Sequence, residues 1–370
     1  VDVVGRVAHP DFVARFDRAS KNHGTWNGDA VGEAADSDGM AGAYFSFDTE
    51  EGRPVGGDVA ISFVSTENAR QNLDAETKGK SFDELHDAAA RAWQSMLGRI
   101  TVSGGSVAER GRFYTALYHS LLEPFVASDV NGDYRTANGV GHDPAHDRYS
   151  VFSLWDTHRT VHPLLALVYP ERQTAMLRTI ASLATELGAP PKWELLGDEV
   201  NMMVGDPASI VVDYSYRKGL HDFDAEALYQ SMRAAASDPA ARPGISDYLA
   251  LGYVPMEDAT SLWGPASTTL EYGLADWNLA RLADALGHSS DAAPFDARAG
   301  AYAKLYDPST GMLRPKMANG DFLTPFDPDA EEGSLARPAS GGPGYVEGSA
   351  WNYAFFAPHD TAGLVALEGK

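Results

Sequence analysis

The chain of 370 residues contains no cysteine. Disulfides, thiolate catalysis and cysteine zinc sites are excluded together, and the compartment is left open. No apolar run reaches the roughly 18 residues that a membrane-spanning helix needs, so the chain is not expected to cross a membrane. Positive charge is scarce: 29 lysines and arginines stand against 52 aspartates and glutamates, a net charge of −23. Nucleic acid and anionic membrane surfaces both call for a basic patch, so neither is expected as a partner. The surface suits a neutral or cationic ligand. The G-x-S-x-G elbow, the P-loop and the dinucleotide fingerprint are missing, which leaves serine hydrolase, NTPase and dehydrogenase chemistry without support. The eleven histidines are read as offering no H-x-x-x-H or other zinc spacing, so no zinc site is expected.

What the chain does have is apolar and aromatic. With 44% hydrophobic residues, 7 Trp, 16 Tyr and 15 Phe, it can bury more than one core, and its length suggests about two domains. Residues 1–65 read as β structure. AGAYFSFD (41–48) and GDVAISFVS (57–65) alternate as half-buried strands do. These strands are too few for a closed sandwich, so residues 1–65 are expected to be the C-terminal part of a β-sandwich domain. VDVVGRV at the start is strand-like, and both ends of the chain are expected to be cut points.

From Thr66 the period changes to helical, and residues 66–104 read as a helical linker. Ser81 followed by Glu84 forms a capping-box pattern, and Phe82, Leu85, Ala89, Trp93 and Leu97 keep helical spacing. Residues 105–370 are mostly helix. The expected segments are 109–125, 157–168, 170–187, 206–219, 224–237, 244–250, 267–287, 291–306, 347–356 and 359–368. PASIVVDYSYRKG and STTLEYGLADWNLARLADALG are apolar on more than one face, which marks helices packed on both sides. Paired helices with long glycine- and proline-rich loops at one end describe an (α/α) toroid. A six-pair ring needs more helices than these, so the barrel is expected to be incomplete in this chain.

Three segments could carry chemistry. In GGPGYVEGSAWNYAFF, Glu347 stands alone among Tyr345, Trp351, Tyr353, Phe355 and Phe356. Aromatic faces bind sugar rings, and an acid set among them is desolvated, which favours the protonated form that a general acid in glycoside cleavage needs. As plain structure, the aromatics are helix core and Glu347 lies near a helix N-terminus, where negative charge is favourable. SLWDTHRT (153–160) gathers Trp155, Asp156 and Arg159. An indole can stack on a sugar face while a carboxylate accepts from vicinal hydroxyls; as structure, Asp156 is a helix N-cap and Trp155 a core aromatic. KWELLGDEVNMMVGDP (192–207) offers Asp198 and Glu199 as ligand candidates, with Asp206 before Pro207 as a cap. Metal ligands are not identified by spacing. SDVNGDYR (128–135) reads as a turn, and Asp360 as the cap of the last helix.

In chain order, AISFVSTENARQNL, FYTALYHSLLEPFVASDVNGDY, SLWDTHRTVHPLL, MVGDPASIVVDYSYRKG, TLEYGLADWNLARLADALG and EGSAWNYAFFAPHDTAGL resemble glycoside hydrolase family 92. Six ordered matches are more specific than any single motif. The resemblance implies a β-sandwich, a helical linker and an (α/α)6 barrel. It also implies single-step, inverting hydrolysis of terminal non-reducing α-linked mannose, α-1,2 in the first instance, assisted by Ca²⁺, in a secreted or periplasmic setting. Position by position, Glu347 matches the general acid, and Trp155 and Asp156 match the mannose pocket; Arg159 and Glu199 are further substrate-binding candidates. Ser349 and Asn352 depart from the family's usual asparagine and glutamine, which touches aglycone preference. Glutamate rather than glutamine at position 347 favours a glycosidic leaving group over a mannosyl phosphate. The base and the Ca²⁺ ligands are expected downstream of Lys370, so the expected partners are a mannose-containing glycan and the remainder of the same chain. The alternatives are a mannose-1-phospho-6-mannose hydrolase, a non-catalytic carbohydrate-binding fragment, and a trehalase-like or glucoamylase-like enzyme, which the ordered matches count against.

Overall fold

A computed structural model describes residues 2–6, 10–32, 41–335 and 340–369. The chain forms two compact units: residues 1–121 with 126–148, and residues 122–125 with 149–370.

The first unit carries two three-stranded antiparallel sheets. β1 (Asp2–Arg6), β2 (Asp11–Phe16) and β6 (Gly57–Ser62) form one, in the order β1-β2-β6; β3 (Asn22–Asn27), β4 (Ala30–Gly32) and β5 (Ala41–Ser46) form the other, in the order β4-β3-β5. Val1 and Val7 of the expected first strand lie outside the described residues. Phe16 of β2 packs against Phe45 and Phe47, with ring centroids 5.2 and 5.1 Å away. Both expected strands end short of their predicted limits, β6 because the chain turns at Ser65 to cap α1 (Thr66–Thr77). The buried amides of Asn68 and Asn72, one helical turn apart, both donate to Asp129, at 2.9 and 2.7 Å, and Ser62 Oγ joins them at 2.7 Å. This network ties β6, α1 and the 128–133 turn together. α2 (Phe82–Leu97) and α3 (Val107–His119) each open with a complete capping box, Ser81–Glu84 as expected and Ser106–Glu109 besides.

The second unit is predominantly helical: α4 (Leu154–Thr157), α5 (Val161–Val168), α6 (Pro170–Leu187), α7 (Pro207–Arg217), α8 (Ala225–Ala235), α9 (Ile245–Leu251), α10 (Pro265–Leu286), α11 (Ser289–Ala299), α12 (Tyr302–Leu305), α13 (Ala350–Tyr353) and α14 (Thr361–Leu367). α10 is its spine. Apart from Trp277 and Arg281, every residue from Pro265 to Ala283 is buried, because α7, α8, α11 and α12 pack around it. That two-sided burial agrees with the apolar residues that STTLEYGLADWNLA carries on more than one face. The mixed architecture, sheets first and helices after, stands as expected. The helix at 157–168 is broken at β-branched Thr160, whose φ of −144° leaves the helical region. The helix at 347–356 shrinks to the four residues of α13, because Glu347 sits at φ 49° and Ser349 is extended.

Candidate active site

A small antiparallel sheet brings two of the sequence motifs together. Phe152 pairs with Glu194, Ser153 with Trp193, and Glu194 in turn with Glu199. The Leu154 N–H donates to the Lys192 carbonyl at 3.1 Å, which seats α4 on the KWEL segment. Trp155 then points inward and packs with Val204, Trp263 and Val346. It is core as well as motif, being 8% exposed. Asp156 is exposed, and Ser153 rather than Asp156 holds the N-cap position of α4. The Ser153 hydroxyl donates to the Asp156 carboxylate.

Val346 fixes the chain immediately before Glu347. Its N–H donates to Ser267 Oγ at 3.1 Å and its carbonyl accepts from Tyr353 Oη at 2.8 Å. Gly264, at φ 58°, lets the loop close: a Cβ there would lie 2.5 Å from Val346 Cγ2. On the other side, the Glu347 N–H donates to the Ser340 carbonyl at 2.7 Å. Clamped in this way, Glu347 adopts a left-handed backbone at φ 49°, a conformation that non-glycine residues seldom take and that gathers at functional sites. Its side chain opens into a cavity of about 410 Å³ shared with Glu331, Ser340 and Asn352.

The expected desolvation of Glu347 by the aromatic run is not supplied by this chain. Glu347 is exposed, and of its neighbours Tyr345 is buried while Trp351 and Phe355 are 57% and 74% exposed. The Trp351 indole N–H is spent on Asp329 at 2.7 Å. The structural alternative fares no better, since α13 begins beyond Glu347 and spans a single turn.

Between the two motifs lies an acid that sequence reasoning passed over. Glu271, on α10 one turn after Ser267, is 1% exposed and accepts from Arg159 Nη2 at 2.7 Å. Burial pushes its carboxyl up, and Arg159 and Trp155 pull it down. The Arg159 guanidinium lies 5.0 Å from the Trp155 ring and 5.5 Å from that of Phe356. Burial raises the phenol of Tyr353 above its ordinary range; Glu271 and Glu347 add to that rise while Ser267 and Arg159 oppose it. Two acids, Glu271 and Asp276, inside an otherwise two-sided apolar helix were the signal available in TLEYGLADW.

The remaining candidates turn away from the site. Glu199 accepts from the backbone N–H groups of Lys192 and Asn201, both at 2.6 Å, and from that of Trp193, so it staples the 192–201 loop. Asp206 stands at the N-cap position of α7 but makes no capping bond. Its carboxylate pairs with buried Arg242 at 2.7 Å, and Arg242 also holds Asp276 at 2.7 Å. Asp360 does cap α14, accepting from the Gly363 N–H at 2.9 Å. His158 and His162 stand four residues apart, a spacing the histidine reading missed. Both are buried and held neutral, down to about 3 and about 4, chiefly by desolvation. Among the described residues no three His, Asp or Glu side chains converge as a metal-ligand set.

The family model of the glycosyl hydrolase family 92 catalytic domain matches residues 68–370. The structure of a family GH92 inverting mannosidase from Bacteroides thetaiotaomicron is similar at 31% identity and TM-score 0.87, covering 97% of this chain and 48% of that one. A GH92 α-mannosidase of the same organism, solved with mannoimidazole, is similar at 30% identity and TM-score 0.88, covering 98% of this chain and 48% of that one. The chain thus spans about half the length of the structures it matches. No curated protein matches it. A match over most of the chain, with the fold shared from end to end, means that this chain belongs to glycosyl hydrolase family 92.

Proposed function

We propose that this chain contributes the general acid and part of the sugar pocket of an exo-acting α-mannosidase, which removes terminal α-linked mannose from glycans with inversion. The observation that carries this reading is the clamping of Val346 against Trp155 and Trp263, with Glu347 opening into a cavity one residue further on. Glu347 is the proton donor, Trp155 and Asp156 present an aromatic edge and an exposed carboxylate to the sugar, and Arg159 is held ready by Glu271. An inverting enzyme needs a second carboxylate about 6.5–9.5 Å from the acid, with room for water between them. On this reading the base, and the helices that complete an (α/α)6 ring, belong to the half of the relatives' length that this chain does not span.

Calcium is implied by the family resemblance, and the described residues do not fit it on their own. Ca²⁺ takes six to eight oxygen ligands, whereas no three acidic or histidine side chains gather here. The setting belonging to this reading is secreted or periplasmic, with an α-1,2-linked mannose end as first substrate. Proton NMR of the full-length protein turning over α-1,2-mannobiose tests the reaction. Release of β-mannose as first product supports it; α-mannose, or no release from any α-mannoside, overturns it.

A further inference from the structure

Beside the Trp155 cluster, and sharing Val204 and Trp263 with it, lies a second cavity of about 400 Å³; Lys192, Asn201, Met203 and Val204 of the 192–207 segment line it, whereas Trp155, Asp156, Arg159, Glu199 and Glu347 do not. Its size is within the range of small-ligand sites. Among the described residues its lining holds one charged side chain, Lys192, together with Asn201, Ser261, Trp263 and Thr268. Lys192 is 9% exposed. Its ammonium carries three donors, yet the acceptor it meets is Asn201 Oδ1, at 3.1 Å. A buried cation with donors left over is costly unless something supplies acceptors. The loop that presents this pair is strained in the same place: Asn201 and Met203 sit at φ 53° and 64°, and Glu199 holds the Asn201 N–H at 2.6 Å. Such backbone persists where the surroundings over-determine it, typically at ligand sites.

The complementary groups are acceptors. The hydroxyl protons of Ser261 and Thr268 are committed to the carbonyls of Asp258 and Trp263, at 3.0 and 3.1 Å, which leaves their oxygen lone pairs for a ligand's donors. A ligand that accepts from Lys192 and donates to these oxygens beside an indole has the chemistry of a sugar hydroxyl face. An anion is disfavoured, because the chain carries −23 overall.

We propose that this cavity is a saccharide subsite in which the Lys192 ammonium donates to the oxygens of a neutral sugar unit, while Ser261 and Thr268 accept from its hydroxyls. It rests on the carbohydrate reading above and adds a sugar ligand outside SLWDTHRT and VEGSAW. The test is calorimetric titration of the full-length protein with methyl α-mannoside, methyl α-glucoside, methyl α-galactoside and inorganic phosphate. Lys192→Met should raise the mannoside Kd about 10–100-fold, the loss of charge-assisted hydrogen bonds. If Lys192→Met does not fold by thermal unfolding, Asn201→Gly carries the test, since glycine accepts the left-handed φ; it should weaken binding several-fold. Unchanged mannoside Kd in both variants overturns the subsite and leaves the mannosidase reading intact. Phosphate binding that depends on Lys192 makes it an anion site and overturns the proposal. Silence with every sugar overturns the subsite and the carbohydrate reading together.

Discussion

Arg159 Nη2 stands 2.7 Å from Glu271 Oε1, and the two partners see different amounts of solvent: the arginine side chain is 37% exposed, the glutamate 2%. The pair is therefore asymmetric in its consequences. Removing the carboxylate leaves a guanidinium that water can still reach, whereas removing the arginine leaves a buried charge with no cation, the costlier loss.

Arg159→Met should accordingly destabilise the protein by about 1–3 kcal/mol, discounted for the arginine's exposure. The penalty should be larger at pH 8 than at pH 5, because Glu271, already pushed up by burial, escapes the cost by binding a proton in acid. Glu271→Gln should cost less and show a flatter pH dependence. Urea unfolding of the three proteins at both pH values is the measurement; equal penalties at pH 5 and pH 8 would show that the pair is not what stabilises the site.

His162 gives a second pH signature. Its imidazole is fully buried, meets Gln173 Oε1 through Nδ1 at 2.9 Å, and is lowered to about 4 by desolvation. The unfolded chain binds that proton near the ordinary 6.5 and the native state does not. Stability is therefore full above about 6.5 and is lost as pH falls toward 4, by up to roughly 3 kcal/mol. Asp213 has the opposite sign: burial raises it to about 6, so its contribution falls as pH rises from about 4 to 6. In unfolding curves across pH 4–7, His162→Gln should flatten the acid loss and Asp213→Asn should deepen the apparent histidine slope. The reverse pair of changes would contradict both assignments.

Gly264→Ala tests the clamp on the acid loop. The new Cβ would need a left-handed φ of 58° and would lie 2.5 Å from Val346 Cγ2 and 2.9 Å from the Tyr345 carbonyl carbon. The expected cost is more than about 1 kcal/mol, with activity lost out of proportion as Glu347 shifts. A variant as stable and active as wild type would mean that the loop is not set by this contact.

Much of this was legible in the sequence, and the failures have physical causes. The capping box at Ser81 and Glu84 and the two-sided burial of α10 are local or periodic facts, and periodicity reads them. The length of α13 is not local: the left-handed turn at Glu347 comes from hydrogen bonds to Ser340, Ser267 and Tyr353, residues up to 80 positions distant. The partners of Glu199 and Asp206 were hidden for the same reason: Glu199 accepts from backbone N–H groups, and Asp206, at the N-cap position as expected, pairs with buried Arg242. A loop carboxylate and a cap look alike in sequence whether they face solvent, as Asp156 does, or turn onto backbone N–H groups and a buried arginine. The aromatic run misled because two of its members, Trp351 and Phe355, face outward, and outward-facing aromatics are not marked as such in the sequence.

The role of Glu347 remains the centre of the account. In the full-length protein, Glu347→Gln keeps the side chain's shape and removes its proton. Single-turnover rates are to be compared on two substrates: an α-mannobioside, whose alkoxide must be protonated to leave, and an aryl α-mannoside with an activated phenol, which departs unaided. A fall of about 10²–10⁴-fold is expected on the first and a far smaller change on the second. Equal losses on both substrates would contradict it and take Glu347 out of the proton-donating role.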